Sequence, residues 1–235
     1  MVMNKLNLFR CFAVYVFSSL VILSAPAQSL EQTSTGLINY AVKDESPIKA
    51  LTAIALQTGV PVGIVLGQDQ QMLCRLRRSF DIHDKTPRQA LTEVSSSVGF
   101  LVKEEQQVLV TIAPDVASWQ QEMLDHKFVK FPGYTDTAMT LLGTRLTGAI
   151  RMTLGNVETF AASTPHSANA HKISAGDMFN ASSEEIANKI VNMDDKGLWI
   201  IKSAVNPPSG PANAEIKIYS YADDAELIRD INCAP

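Results

Sequence analysis

Two stretches decide the fold: INYAVKDESPIKALTAIALQTGVPVGI at 38–64 and FDIHDKTPRQALTEVSSSVGF at 80–100. Each passes from an alternating pattern into a capped helix. Ser46-Pro47 and Thr86-Pro87 open the helices. A Ser or Thr hydroxyl accepts a bond from a free backbone N–H at the N-cap. Proline in the first turn gives up an N–H that has no helical partner. Ile48, Leu51, Ile54 and Ala55 then fall on one helical face, as do Ala90, Leu91, Val94 and Val98. Gly59 and Gly99 each follow 12 residues after the proline, where a left-handed residue stops a helix.

Strand patterns surround both helices. Ile38, Tyr40 and Val42 alternate with polar neighbours, and Val60 to Leu66 is an apolar run with Pro61 near its start. Cys74, Leu76, Phe80 and Ile82 share one parity, while Arg75, Arg77, Ser79, Asp81 and His83 share the other. Phe100 to Lys103 and Val108 to Ile112 flank Glu104-Glu105-Gln106-Gln107, which reads as a hairpin turn. The order strand, helix, strand, strand, helix, strand, strand predicts an α+β fold: one or two small β-α-β-β-α-β modules, each a small sheet with two helices on one face. Residues 28–116 hold every element of the first module, so one core is predicted to close within them.

The stretches at 38–64 and 80–100, with VLVTIAP at 108–114, resemble the secretin/TonB short N-terminal (STN) domain. Ile48, Leu51, Thr58-Gly59, Ala90-Leu91 and Gly99 fall on the family's helix positions. The resemblance covers 37–113 and implies a periplasmic module that docks partners at secretins or TonB-dependent outer-membrane receptors. Nothing after 113 resembles a secretin channel, so the resemblance implies docking without a pore.

The second half reads as a divergent copy. Phe128 to Phe131 gives a first strand, and Ala138, Leu141, Leu142 and Leu146 lie at helical spacing within Thr135 to Leu146. Arg151 to Phe160 and Ala170 to Phe179 are the predicted central strands. Ser182 with Glu185 forms a capping box ahead of Ile186, Ile190 and Met193. Leu198 to Ala204 and Glu215 to Tyr221 complete a hairpin. The predicted organisation is therefore 37–113, a linker at 114–127, a second α+β domain at 128–221 and a tail at 222–235.

Met1 to Arg10 carries Lys5 and Arg10 without an acid, and Cys11 to Ala25 is a 15-residue apolar run ending at Ala25-Pro26-Ala27. This is the layout of a secretory signal peptide, 1–27, cut after Ala27. It predicts an exported protein with no membrane span once cleaved, and the STN resemblance implies that its place is the periplasm, beside the outer membrane. Cys74 and Cys233 then remain. In an oxidising compartment they either pair or stay as two thiols, and the sequence decides neither. The formal net charge of −4 excludes the basic surface of a general nucleic-acid binder.

Chemistry-bearing residues are sparse. Asp81, His83 and Asp84 are the densest polar cluster, and a carboxylate beside an imidazole is a general-base arrangement. The solvated face of the strand and its exit turn is the favoured reading, because no nucleophile elbow, zinc motif or phosphate loop accompanies them. His166 and His171 lack the further ligands of a zinc site. Asn180-Ala181-Ser182 fits a glycosylation sequon, but helix capping accounts for Ser182. No cofactor is predicted. The leading reading is a non-catalytic docking protein whose partners are envelope proteins, held along the strand edge Arg75, Arg77, Ser79, Asp81 and His83. A periplasmic enzyme of unknown reaction and a small-ligand carrier with a cleft between the halves are the alternatives.

Overall fold

The computed structural model describes residues 29–32, 36–67, 73, 75–154, 157–158, 170–193, 196–204, 212–229 and 231. The signal-peptide segment with Ala27, both Cys74 and Cys233, and His166 lie outside the described residues. The chain is α+β. Its first half runs β1 (Ser29–Gln32), β2 (Ile38–Glu45), α1 (Pro47–Thr58), β3 (Val62–Val65), β4 (Arg78–Lys85), α2 (Pro87–Ser97), β5 (Leu101–Glu105) and β6 (Val108–Ile112). Ser46 Oγ accepts from Lys49 N at 3.2 Å, and Thr86 and Gln89 bond each other reciprocally. Gly59 ends α1 at φ 68°. The β5–β6 turn is Gln106-Gln107, both at positive φ (52° and 67°), while Glu104 and Glu105 stay in the strand. Two left-handed residues match the strand twist of a tight hairpin.

A helix α3 (Ser118–Asp125) occupies the predicted linker. The second half then runs β7 (Lys127–Phe131), β8 (Tyr134–Ala138), α4 (Met139–Leu154), β9 (Val157–Glu158), β10 (Lys172–Ala175), β11 (Met178–Ser182), α5 (Ser183–Val191), β12 (Gly197–Ala204), β13 (Ala212–Ser220) and α6 (Ala225–Arg229). Thr135 belongs to a strand, and Arg151 to Leu154 extend α4 instead of starting one. The helix runs through Gly143 because that residue lets it approach β13: a Cβ there would lie 2.9 Å from Ile216 O and Ile218 N.

The halves share one sheet of six strands, ordered β5-β6-β3-β12-β13-β9. Each half contributes an antiparallel hairpin and a strand parallel to the hairpin's second member. β3 and β12 form the seam, parallel, from Val62↔Leu198 to Val65↔Ile201. Passing from one triplet to the next keeps the strand order and reverses every strand direction. That relation is a half-turn about an axis lying in the sheet, across the strands. It carries the second half's helices to the opposite face.

Burial follows the half-turn. On one face Val62, Ile64, Leu109, Leu198 and Ile200 pack with Leu51 of α1, Leu91 of α2 and Ile228 of α6. On the other, Val110, Trp199, Ile201, Ile216 and Ile218 pack with Met123 of α3, Leu142 of α4 and Ile186 of α5. The first core is therefore not closed within 28–116: Leu198, Ile200, Tyr219, Ile228 and Ile231 complete it. The physical reason is the parallel seam, which makes β3 an interior strand with both faces buried.

Smaller antiparallel sheets flank this one: β1-β2-β4, and the ribbons β8·β10 and β7·β11. Four strand-to-helix joints, those leading into α1, α2, α4 and α5, are built alike. Asp44, Asp84, Asp136 and Asn180 have φ of 55°, 51°, 51° and 51°, each three residues before the first helical residue. Asp and Asn tolerate this left-handed region better than other non-glycine residues. The partner strand supplies an oxygen to the turned N–H: Asp44 N bonds Ser79 Oγ (3.4 Å), Asp84 N bonds Asn39 Oδ1 (2.9 Å) and Asp136 N bonds Ser174 Oγ (2.9 Å).

Candidate functional site

β4 hydrogen-bonds to β2 on one side, and no strand pairs with its other side among the described residues. At 8 residues it is the longest described strand that is paired on a single edge. Phe80 and Ile82 anchor it in the core, while Ser79, Asp81 and His83 face solvent. The strand begins at Arg78, so Arg75 and Arg77 of the predicted edge precede it. The reason lies in β2. Glu45 pairs with Arg78, and the chain then turns into α1 at Ser46, so the β2–β4 ladder ends there. Arg75 and Arg77 are both exposed.

The polar cluster resolves into separate roles. Asp84 is a strand–helix joint. Asp81 Oδ1 and His83 Nε2 are 2.9 Å apart, and both side chains are mostly exposed. Pairs in that setting add little stability. The nearest hydroxyl on the strand, Ser79 Oγ, accepts the Asp44 N–H. The exposed carboxylate and imidazole sit in solvent rather than in a poised base–nucleophile constellation. Asn180 is likewise a joint, and Ser182 Oγ accepts the Glu185 N–H at 3.1 Å. His171 stands exposed, its backbone N–H bonded to Asp223 Oδ2 at 2.8 Å. Among the described residues no cluster of three or more His, Cys, Asp or Glu has the geometry of a metal site. No described helix is long and apolar enough to cross a membrane.

Two buried polar contacts were not singled out by the sequence, and the first of them joins the halves. Lys103 Nζ on β5 lies 2.7 and 2.9 Å from the Glu184 carboxylate on α5, and 3.1 Å from Glu105. Glu184 is only 5% exposed, and burial pushes its carboxyl above the usual range despite Lys103. At Lys103 burial works in the opposite sense, but bonds to the two carboxylates outweigh it and hold the ammonium above its ordinary value. Burial governs the enclosed carboxylate; the partners govern the more exposed lysine. At the seam, Trp199 Nε1 donates to Asn188 Oδ1 at 2.7 Å. Comparison with protein-family models, curated proteins and solved structures gives no match.

Proposed function

We propose that this chain is a non-catalytic docking protein of the bacterial envelope, exported by cleavage after Ala27, that holds an envelope partner by adding that partner's strand to β4. The observation that carries the reading is the outer edge of β4 (Arg78–Lys85), which no strand pairs among the described residues. An edge strand offers unpaired N–H and C=O groups, and a second chain completes the ladder. Exposed Arg75 and Arg77 beside the edge favour an acidic partner surface and speed encounter. The STN-like residues 37–113 support the same reading, because that family docks at secretins and TonB-dependent receptors.

A photoreactive residue placed at Asp81 in living cells, with a control at exposed Lys189, should trap one envelope protein from the first site alone. With that protein in hand, amide hydrogen exchange of residues 78–85 should slow on complex formation. His83→Ala should bind as the parent does. Unchanged exchange in β4 within a formed complex refutes the edge. Loss of function in a folded His83→Ala chain that still binds would favour catalysis at the Asp81–His83 pair instead.

A further inference from the structure

The second half carries an apolar groove that the β4 edge does not involve. The β7–β8 corner, with Phe131 and Tyr134, forms one wall, and helix α4 forms the other with Arg145, Gly148, Ala149 and Met152. The groove measures about 560 Å³, inside the range of roughly 300–1,000 Å³ typical of small-molecule sites. It lies within the second half, not between the halves.

The sequence of α4, MTLLGTRLTGAIRMTL, explains the groove's character. It holds two arginines and no acid. Gly148 keeps the groove open, since a Cβ there would meet nothing within 4 Å. Met152, 83% exposed, gives an adaptable apolar rim. Tyr134 donates its hydroxyl to Met193 Sδ at 3.2 Å, and burial lifts its pKa to about 12, so it brings no negative charge. Arg145 is the one charged residue of the lining, and it makes no hydrogen bond or ion pair with another described residue.

A planar, permanently charged guanidinium beside an apolar wall matches a ligand with a planar anionic head and an apolar body. A dianion would call for a second cation, and an uncharged apolar peptide would leave the guanidinium unanswered. The geometry points to a binding site for a single-chain amphiphilic carboxylate, its chain lying over Gly148 and Met152 and its head on Arg145.

Isothermal titration of the purified chain with decanoate, kept below micelle formation, tests this, with decanol as the uncharged counterpart. Decanoate should bind one per chain. Arg145→Gln should weaken decanoate about 10–100-fold, the loss expected for a hydrogen bond to a charged group, and leave the weaker binding of decanol unchanged. Gly148→Leu fills the open space and removes a helix-interior glycine. It should abolish binding of both ligands with Tm unchanged or raised. The site is overturned if the parent chain does not bind decanoate, if Gly148→Leu binds it as before, or if Arg145→Gln leaves its affinity unchanged. Displacement of decanoate by a tighter-binding uncharged apolar peptide would overturn the carboxylate in favour of a protein occupant.

Discussion

Placing a methyl group on Gly63 tests whether the two halves are one folding unit. Gly63 of β3 pairs with Trp199 of β12 across the seam. A Cβ on Gly63 would lie 2.3 Å from Trp199 Cζ2, 2.4 Å from Cε2 and 2.9 Å from Nε1. The indole is fully buried and its N–H is fixed on Asn188, so the ring cannot swing aside. Overpacking of a rigid core site costs about 1–3 kcal/mol, occasionally more. Trp199→Leu removes all three clashing atoms. On its own it should destabilise by a few kcal/mol, somewhat less than the roughly 3–5 kcal/mol of a Trp→Ala truncation. In that background Gly63→Ala should be neutral, or should gain about 0.5–1 kcal/mol by restricting the unfolded chain. The unpaired Asn188 is common to both chains that carry Trp199→Leu and cancels in the cycle. The coupling energy is therefore expected at about 1–3 kcal/mol. Urea denaturation followed by circular dichroism measures it, and the parent should show one transition. An equal cost of Gly63→Ala in both backgrounds would refute the seam.

Thr147→Val should cost about 1–3 kcal/mol in the same assay, because Thr147 Oγ1 accepts the Ile216 N–H (3.0 Å) and donates to the Ile216 carbonyl (3.3 Å). Asp84→Gly should leave stability nearly unchanged, whereas Asp84→Val should lose about 1–2 kcal/mol, the cost of a left-handed residue with a branched Cβ. The raised Glu184 carboxyl sets a pH dependence. A carboxyl whose folded pKa exceeds its unfolded value adds stability below the unfolded pKa and loses it as pH rises through the folded one. The stability of the parent relative to Glu184→Gln should thus fall as pH rises from below the ordinary value of 4.5. Paired urea titrations across that window check it, and a difference that grows with pH would refute the sign.

Local structure was legible wherever a residue's role depends on its neighbours in sequence. Ser46, Thr86 and Ser182 announce their helices, and Gly59 ends one. The alternation of Phe80 and Ile82 with Ser79, Asp81 and His83 gives the sidedness of β4. One local signal went unread: Asp or Asn three residues before α1, α2, α4 and α5 marks the joint, and it assigns Asp84 to backbone geometry instead of chemistry. Non-local features left no such trace. Gly63 looks like any strand glycine until Trp199 stacks above it. Glu184 reads as a first-turn acid until Lys103 meets it from β5. Arg145 becomes a candidate ligand only when the β7–β8 corner closes a groove beside it.

The choice of β4 as the docking edge also follows from how the large sheet treats its own edges. An unpaired edge invites unwanted pairing, and proteins blunt it with short strands, charges or covering helices. The β13 side is paired by β9 only at Ala212 and Asn213. Beyond that point α4 takes over, with Gly143 admitting close contact and Thr147 satisfying the Ile216 backbone. At the other end β5 is short and carries Lys103, Glu104 and Glu105, the first drawn toward Glu184 on the neighbouring helix. β4 has no such cover among the described residues. Its residues run from Arg78 to Lys85, its outward side chains are polar or charged, and the inward Phe80 and Ile82 are fixed in the core. With Phe80 and Ile82 fixed in the core, an incoming strand can pair along the extended residues that precede the left-handed Asp84, so the ordering cost of binding falls mainly on the partner.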